Sequence, residues 1–412
     1  MKQDLHINFK RLQADIEALG IIGRREDHGI YRMAFSDADK TGREWFKQRV
    51  AEAGLEFYQD GAANLFARLG WDGRRPTVMI GSHLDTVPGG GVLDGALGVL
   101  VGLECLRTVK ESGLTLQFPL EAVAFSDEEG RFGGLFGSQA IVGDLTPDKI
   151  YNSRDLEGLT LIEAMAAWGL DATAALGAQR NPESIHAFLE LHIEQGPILD
   201  SKGIKIGVVE AITGLFKWEI RLIGTANHAG TTPMNMRQDA FLGLAEFANE
   251  IPRIIEEHGS ENSRATIGRA ELSPGAANTV PGQVLFSLDV RDTDQGILQE
   301  LANACRRALS AIARRRRLMF EFDILSEISP VRCDPGIAQL VSQAAQQLGL
   351  SSLRMASGAA HDTQNMASIT RAGMIFVPSI GGRSHSAAEW TPWESIEMGA
   401  NAALNVLYQL AK

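Results

Sequence analysis

Four short apolar runs in this chain each lead into a cluster of histidine or carboxylate residues, and no other feature narrows the possible folds as far. Met79-Ile80 leads into Gly81-Ser82-His83-Leu84-Asp85-Thr86. Val123-Ala124-Phe125 leads into Ser126-Asp127-Glu128-Glu129-Gly130. Leu189-Glu190-Leu191 leads into His192-Ile193-Glu194-Gln195-Gly196, and Ile375-Phe376-Val377 reaches Ser384-His385 after a glycine-rich turn. Runs of this length read as buried strands, at 76–80, 120–125, 187–191 and 374–377. Helical patterns stand between them, among them 92–109. The alternation predicts an α/β fold with a doubly wound, mostly parallel sheet. In open sheets of that kind ligands gather at the carboxyl ends of strands, so four polar strand ends point to one place.

A chain of 412 residues exceeds what one core usually supports, and two domains are expected. The N-terminal part is mostly helical in pattern, amphipathic at 9–19 and 45–55. The stretch from about 214 to 328 has a different texture: strand patterns at 216–223, 264–272 and 284–292, helical ones at 240–258 and 295–315, and no metal-type clusters. We expect 1–213 with 329–412 to form the catalytic domain, and 214–328 an inserted, smaller α+β domain.

The composition, 44% hydrophobic and 22% charged, is that of a globular chain. Its formal net charge of -12 argues against nucleic acid and anionic membrane surfaces as partners. Against that charge, the run Arg314, Arg315, Arg316 and Arg317 reads as a solvated helix end favoured by the helix dipole. No apolar run is long enough to span a membrane, and residues 1–20 are too polar for a secretory leader. Cys105, Cys305 and Cys333 are odd in number and far apart, which suits buried filler in a reducing cytoplasm.

Imidazole with carboxylate is a donor set for zinc, manganese, cobalt or nickel. A two-metal site also needs a carboxylate that bridges ions roughly 3.5–4 Å apart. Asp94, in Gly89-Gly90-Gly91-Val92-Leu93-Asp94-Gly95 just before a helix, suits that role; an ordinary helix N-cap is the alternative. Adjacent Glu128 and Glu129 would point at different angles, one to ligate and one to remain free as a base, although a bare acidic pair is often a solvated turn.

These motifs, GSHLDT at 81–86, GGGVLDG at 89–95, DEEG at 127–130, HIEQGP at 192–197, NHAGTTPM at 227–234 and GGRSHSAAEW at 381–390, resemble the M20 metallopeptidase superfamily. More narrowly, they resemble its amidase branch: N-carbamoyl-L-amino-acid hydrolases, β-ureidopropionases and allantoate amidohydrolases. The resemblance covers nearly the whole chain and implies a di-metal amidohydrolase acting on a small ureido acid. His83, Asp94 and His192 would hold one divalent ion, and Asp94, Glu129 and His385 the other. Asp85 would orient His83 through its second ring nitrogen. Glu128 would take a proton from the attacking water and hand it to departing ammonia. His228 would donate to the developing oxyanion, reaching the site of a partner subunit in a homodimer formed through the inserted domain; a solvent-facing turn histidine is the alternative. Arg291 and Asn278 would hold the substrate carboxylate, with a structural salt bridge as the other reading of Arg291. Gln195 would face the ureido group, and His361 would lie near the substrate.

The chain departs from the family pattern at Ala360, where glycine usually precedes the histidine, at Ser273-Pro274-Gly275, and at Arg383. Ala360 would reshape the pocket beside the carboxylate. Every expected metal ligand is present, which disfavours a non-catalytic binding protein. HIEQG and NHAGTTPM weigh against a dipeptidase or aminoacylase.

Overall fold

The computed structural model describes residues 5–412, so the first four residues of the segment judged too polar for a leader lie outside it. The described chain divides into two compact units, residues 5–210 with Cys333–Met355 and His361–Lys412, and Ala211–Arg332 with Ala356–Ala360. The short segment 356–360, expected with the catalytic part, belongs with the second unit because its backbone is tied there. Thr213 N–H donates to the Ser357 carbonyl at 3.0 Å, and Arg291 Nη1 to the Gly358 carbonyl at 2.8 Å.

The first unit is built on a mixed sheet whose centre is parallel, as the alternation predicted. Leu120–Phe125, Thr77–His83, Ile185–Ile193 and Ala372–Val377 are neighbours in that order, and every adjacent pair is parallel. Glu56–Gln59, Leu65–Leu69 and Ile206–Ile212 flank them antiparallel. Leu120–Phe125, Thr77–His83 and Ala372–Val377 are buried throughout, which is what helices on both faces of a parallel sheet demand. Alternate side chains feed two cores: Val78, Ile80, Leu189 and Ile375 pack with helices Ala96–Ser112 and Trp393–Ala411, while Met79, Val123 and Phe188 pack on the other side. Trp390 and Trp393 stack edge to face at 5.0 Å where the last helix begins, a packing role.

The second unit is an antiparallel sheet ordered Ala270–Ser273, Gln283–Asp292, Gly214–Ile223, Met319–Ile328, with Arg264–Thr266 also pairing Gln283–Asp292. Buried and half-buried residues alternate along Gly214–Ile223 and Gln283–Asp292, and helices Ala240–His258 and Gln295–Arg316 share the apolar core with the buried ones. The run 264–272 is two strands, not one: Thr266 pairs with Asp289 and Ala270 with Phe286, so an extra residue between them breaks the ladder. Strand Met319–Ile328 is an element that the alternation does not predict, since a register shift between Ile324 and Ser326 interrupts it. Arg315 and Arg316 pair with Glu246, which fits the solvated helix end. No helix among the described residues is long and apolar enough to cross a membrane. All three cysteines are free and buried.

Candidate metal centre

Parallel pairing puts the carboxyl ends of the four central strands on one edge of the first unit. His83 closes its strand, His192 is the next-to-last residue of its own, and the loop after Phe125 carries Glu128 and Glu129. The loop after Val377 carries His385.

Two donor sets form there, each with ligating atoms within 4.8 Å of one another: His83, Asp94 and His192, and Asp94, Glu129 and His385. Asp94 belongs to both. Its Oδ1 lies 3.2 Å from His192 Nε2 and 3.8 Å from His83 Nε2. Its Oδ2 lies 3.4 Å from His385 Nε2, which is also 3.4 Å from Glu129 Oε2. The N-cap alternative fails, because the cap of Ala96–Ser112 is Gly95 and no side chain caps that end. Gly95 is itself required: at φ +62° it passes so close to His83 that a Cβ would collide with the imidazole ring.

The imidazoles are held in the tautomer that a metal needs. His83 Nδ1 faces the Asp85 carbonyl at 3.0 Å, and His192 Nδ1 the Ile193 carbonyl at 2.9 Å. Each Nδ1 therefore carries a hydrogen, so Nε2 is the nitrogen that faces Asp94 and would turn its lone pair to a metal once its own proton is shed. The Gly95 N–H also lies 3.2 Å from His192 Nε2. Asp85 thus orients His83 by its backbone carbonyl rather than by its carboxylate, which stands 3.9 Å away. That carboxylate accepts instead from the N–H groups of Glu128 at 3.4 Å and Glu129 at 3.1 Å, and so fixes the acidic pair.

The electrostatics call for cations. Asp94, Glu128 and Glu129 are mostly buried, and among the described residues their only ion pairs are with histidines, never with Lys or Arg; buried Asp85 also feels the charge of the buried Arg32. Burial, then Glu129, Asp362, Asp85 and Asp94, push the Glu128 carboxyl well above the usual range. Burial, Asp94 and Asp85 do the same to Glu129, whose buried Oε1 has no partner. Burial opposes ionisation of Asp94 too, but His192 and His385 outweigh it and hold that carboxyl well below the usual range. Conversely, burial disfavours a charged His192, yet the hydrogen bond and charge of Asp94 raise it to about 9. Buried carboxylates gathered around imidazole nitrogens that can shed a proton to a metal are a site that divalent cations fit.

Other residues cluster here. Gln195, in left-handed backbone at φ +56°, donates from Nε2 to Asp94 Oδ2 at 2.8 Å, and its buried Oε1 lacks a partner. Glu128 Oε2 is 3.5 Å from His83 Nε2. His361 is buried edge-on to His192, ring centroids 4.5 Å apart. Glu190, His192 and His361 form a third close group. Glu190 is already committed, accepting from Ser82 Oγ and from the N–H and Oγ1 of Thr363. Two participants were not foreseen, Ser384 and Glu389: Ser384 Oγ lies 2.7 Å from Asp94 Oδ2 and 2.9 Å from Glu389 Oε2.

The remaining candidates lie in the second unit. His228 is exposed and pairs with Thr279 in a two-stranded ladder. Its Nδ1 accepts from the N–H groups of Gly230 at 3.1 Å and Thr231 at 3.3 Å, which leaves Nε2–H as a donor. Asn278 is exposed, and its carbonyl accepts from Ala229 N–H at 2.9 Å. Arg291 is half-buried; Nε and Nη2 face Asp289 at 2.9 and 3.3 Å, so the salt-bridge reading is at least partly realised. Ala360 is half-buried and Arg383, in the first unit, is exposed.

Comparison with known proteins fits this geometry. The model of peptidase family M20/M25/M40 matches residues 79–409. The chain is 38% identical over 412 residues to an N-carbamoyl-L-amino acid amidohydrolase of Geobacillus stearothermophilus, covering 98% of this chain and 99% of that one. It is 35% identical over 389 residues to the allantoate amidohydrolase of Escherichia coli K12, covering 93% of each. A crystal structure of a hydantoinase/carbamoylase family amidase from Burkholderia multivorans superposes with a TM-score of 0.92 at 34% identity, covering 99% of both chains.

Proposed function

This chain belongs to peptidase family M20/M25/M40, and on that premise we propose that it hydrolyses the ureido C–N bond of N-carbamoyl-L-amino acids. The products are the L-amino acid, ammonia and carbon dioxide. The observation that carries this reading is the pair of donor sets sharing Asp94, with the free carboxylate of Glu128 beside them. Allantoate is the second substrate class, supported by the relative of 35% identity that is named for it.

Two ions per subunit, zinc or else manganese, cobalt or nickel, would be held by His83, Asp94 and His192 and by Asp94, Glu129 and His385. When bound, they would polarise the ureido carbonyl and make the attacking water more acidic. Glu128 takes the water's proton and delivers it to the leaving nitrogen. Its high proton affinity suits the delivery, and nearby cations would lower that affinity enough for the uptake. Water adds to the carbonyl carbon, the C–N bond to the terminal nitrogen breaks, and ammonia leaves. The N-carboxy amine that remains loses carbon dioxide. Asp85 holds Glu128 and Glu129 by their backbone, and the unpaired Oε1 of Gln195 accepts from the ureido N–H2.

We assign oxyanion stabilisation to His228 through its Nε2–H, carboxylate recognition to Arg291 and Asn278, and shaping of the substrate pocket to Ala360 and His361. The inserted unit serves as a lid and dimerisation domain. Met319, Ile324 and Leu325, exposed along its edge strand, support a homodimer through that edge. Buried thiols support a cytoplasmic location.

The test is ammonia release by manganese- or zinc-loaded protein, with a chelated control. The panel holds N-carbamoyl-L-amino acids, their D-forms, β-ureidopropionate, allantoate and a dipeptide. Chelator-sensitive release from the L-carbamoyl compounds is expected. Release from allantoate alone would move the assignment to the second class, and silence on every ureido compound would overturn it.

A further inference from the structure

We propose that Glu389 is a positioning residue that fixes the metal-bridging carboxylate of Asp94, acting together with Ser384. The inference rests on the reading of Asp94 as a shared ligand.

Glu389 is 3% exposed and lies between the loop of His385 and the C-terminal helix. Its Oε1 accepts from the backbone N–H groups of both Leu93 and Asp94, each at 3.0 Å, across 296 and 295 residues of sequence. Its Oε2 lies 2.9 Å from Ser384 Oγ, and the same hydroxyl is 2.7 Å from Asp94 Oδ2. One side chain therefore grips Asp94 by its own N–H and that of its neighbour and, through Ser384, reaches the carboxylate itself. Ser384 is adjacent to His385, so the clamp also joins the loops that supply two ligands of one donor set.

The arrangement is costly unless it serves something. Among the described residues Glu389 has no Lys or Arg partner, and its carboxylate lies near that of Asp94, where like charges repel. A neutral amide could accept the same two N–H bonds. It would present an N–H2 rather than an acceptor to Ser384, changing how the hydroxyl is shared with Asp94. The opposite wall is equally specific: a Cβ on Gly91 would overlap the Glu389 carboxylate. Together with Gln195, whose Nε2 also donates to Asp94 Oδ2, these contacts settle which oxygen faces His83 and His192 and which faces His385. Groups that orient a ligand in this way typically change metal affinity about 10–100-fold when removed.

The experiment measures binding of Mn2+ and Zn2+ to the metal-free full-length protein by titration calorimetry, alongside the melting temperature of the metal-free form. Wild type, Glu389→Gln, Glu389→Ala, Ser384→Ala and Asp94→Asn are compared. We expect Glu389→Gln and Ser384→Ala to keep the metal-free melting temperature but to bind at least one ion about 10-fold more weakly, with Glu389→Ala weaker still. A purely structural role would lower the metal-free melting temperature and leave affinity alone. Two ions bound by wild type with unchanged affinity in Glu389→Gln would overturn this proposal and leave the metal reading standing. Failure of wild type to bind either ion, or normal binding by Asp94→Asn, would overturn the metal reading and this inference with it. Should Glu389→Ala not fold, Glu389→Gln and Ser384→Ala decide.

Discussion

The two units are made from the same materials, strands covered by helices, but they treat charge in opposite ways. Along one edge of the first unit, Asp94, Glu128 and Glu129 are mostly buried without a Lys or Arg partner among the described residues. In the second unit the candidate groups already have partners within the unit: Arg291 with Asp289 and the Gly358 carbonyl, and His228 with the N–H groups of Gly230 and Thr231. Buried charge without protein compensation is unstable unless something else supplies it. The first unit therefore offers groups able to hold a cation, and the candidate groups of the second are already partnered. The proposed roles follow that contrast except at His228, and substitutions can break it.

The largest effect falls on Glu128. Glu128→Gln keeps the shape and removes the base, so turnover should drop about 10^3-fold while the metal content of the purified protein is unchanged. Full activity would show that the unpaired carboxylates serve binding alone. Next comes His228, the one residue of the second unit assigned to chemistry. His228→Ala should lower kcat about 10^2-fold with metal affinity unaltered. An unchanged kcat would leave the second unit no part in the reaction and sharpen the contrast.

Arg291→Ala should raise KM for carbamoyl amino acids about tenfold and leave kcat within a few fold, measured by initial rates. Because Asp289 already occupies two guanidinium nitrogens, the outcome separates two uses of one side chain. An unchanged KM combined with a lower melting temperature would make Arg291 a structural strut.

What could be read from the sequence follows the same division. The first unit's site was partly legible because several of its residues sit at the ends of short apolar runs, which parallel pairing gathers on one edge; which of them would ligate came from the family resemblance. His83, His192 and Glu128 are local signals of this kind. Glu389 is not: it lies nearly 300 positions from the N–H groups it holds, and although it falls inside the GGRSHSAAEW motif nothing there points to Asp94. The role of Asp85 was only half legible, since spacing puts it beside His83 but cannot separate its carbonyl from its carboxylate. In the second unit the alternating strands Gly214–Ile223 and Gln283–Asp292 and both long helices were readable. The bulged edge strand and the return of 356–360 to this unit depend on tertiary pairing.

The smallest effect is thermodynamic and touches only the first unit. Without metal, His192 is held protonated by Asp94 up to about 9, against its ordinary 6.5. A group whose proton affinity rises on folding stabilises the fold fully below its unfolded value, and that contribution is lost as pH rises through the folded value. Glu128 and Glu129, also raised, act in the same direction, because the folded state resists their ionisation. The lowered carboxyl of Asp94 contributes above its ordinary 3.8 and is constant in this window. The metal-free protein should therefore melt at progressively lower temperature between pH 6.5 and 9. The metal-loaded protein should show a flatter or opposite trend, since cations replace the protons on these groups and bind more tightly as pH rises. Differential scanning calorimetry of both forms across that window checks it. Parallel curves would mean that metal does not engage these residues, and the electrostatic contrast between the units would lose its explanation.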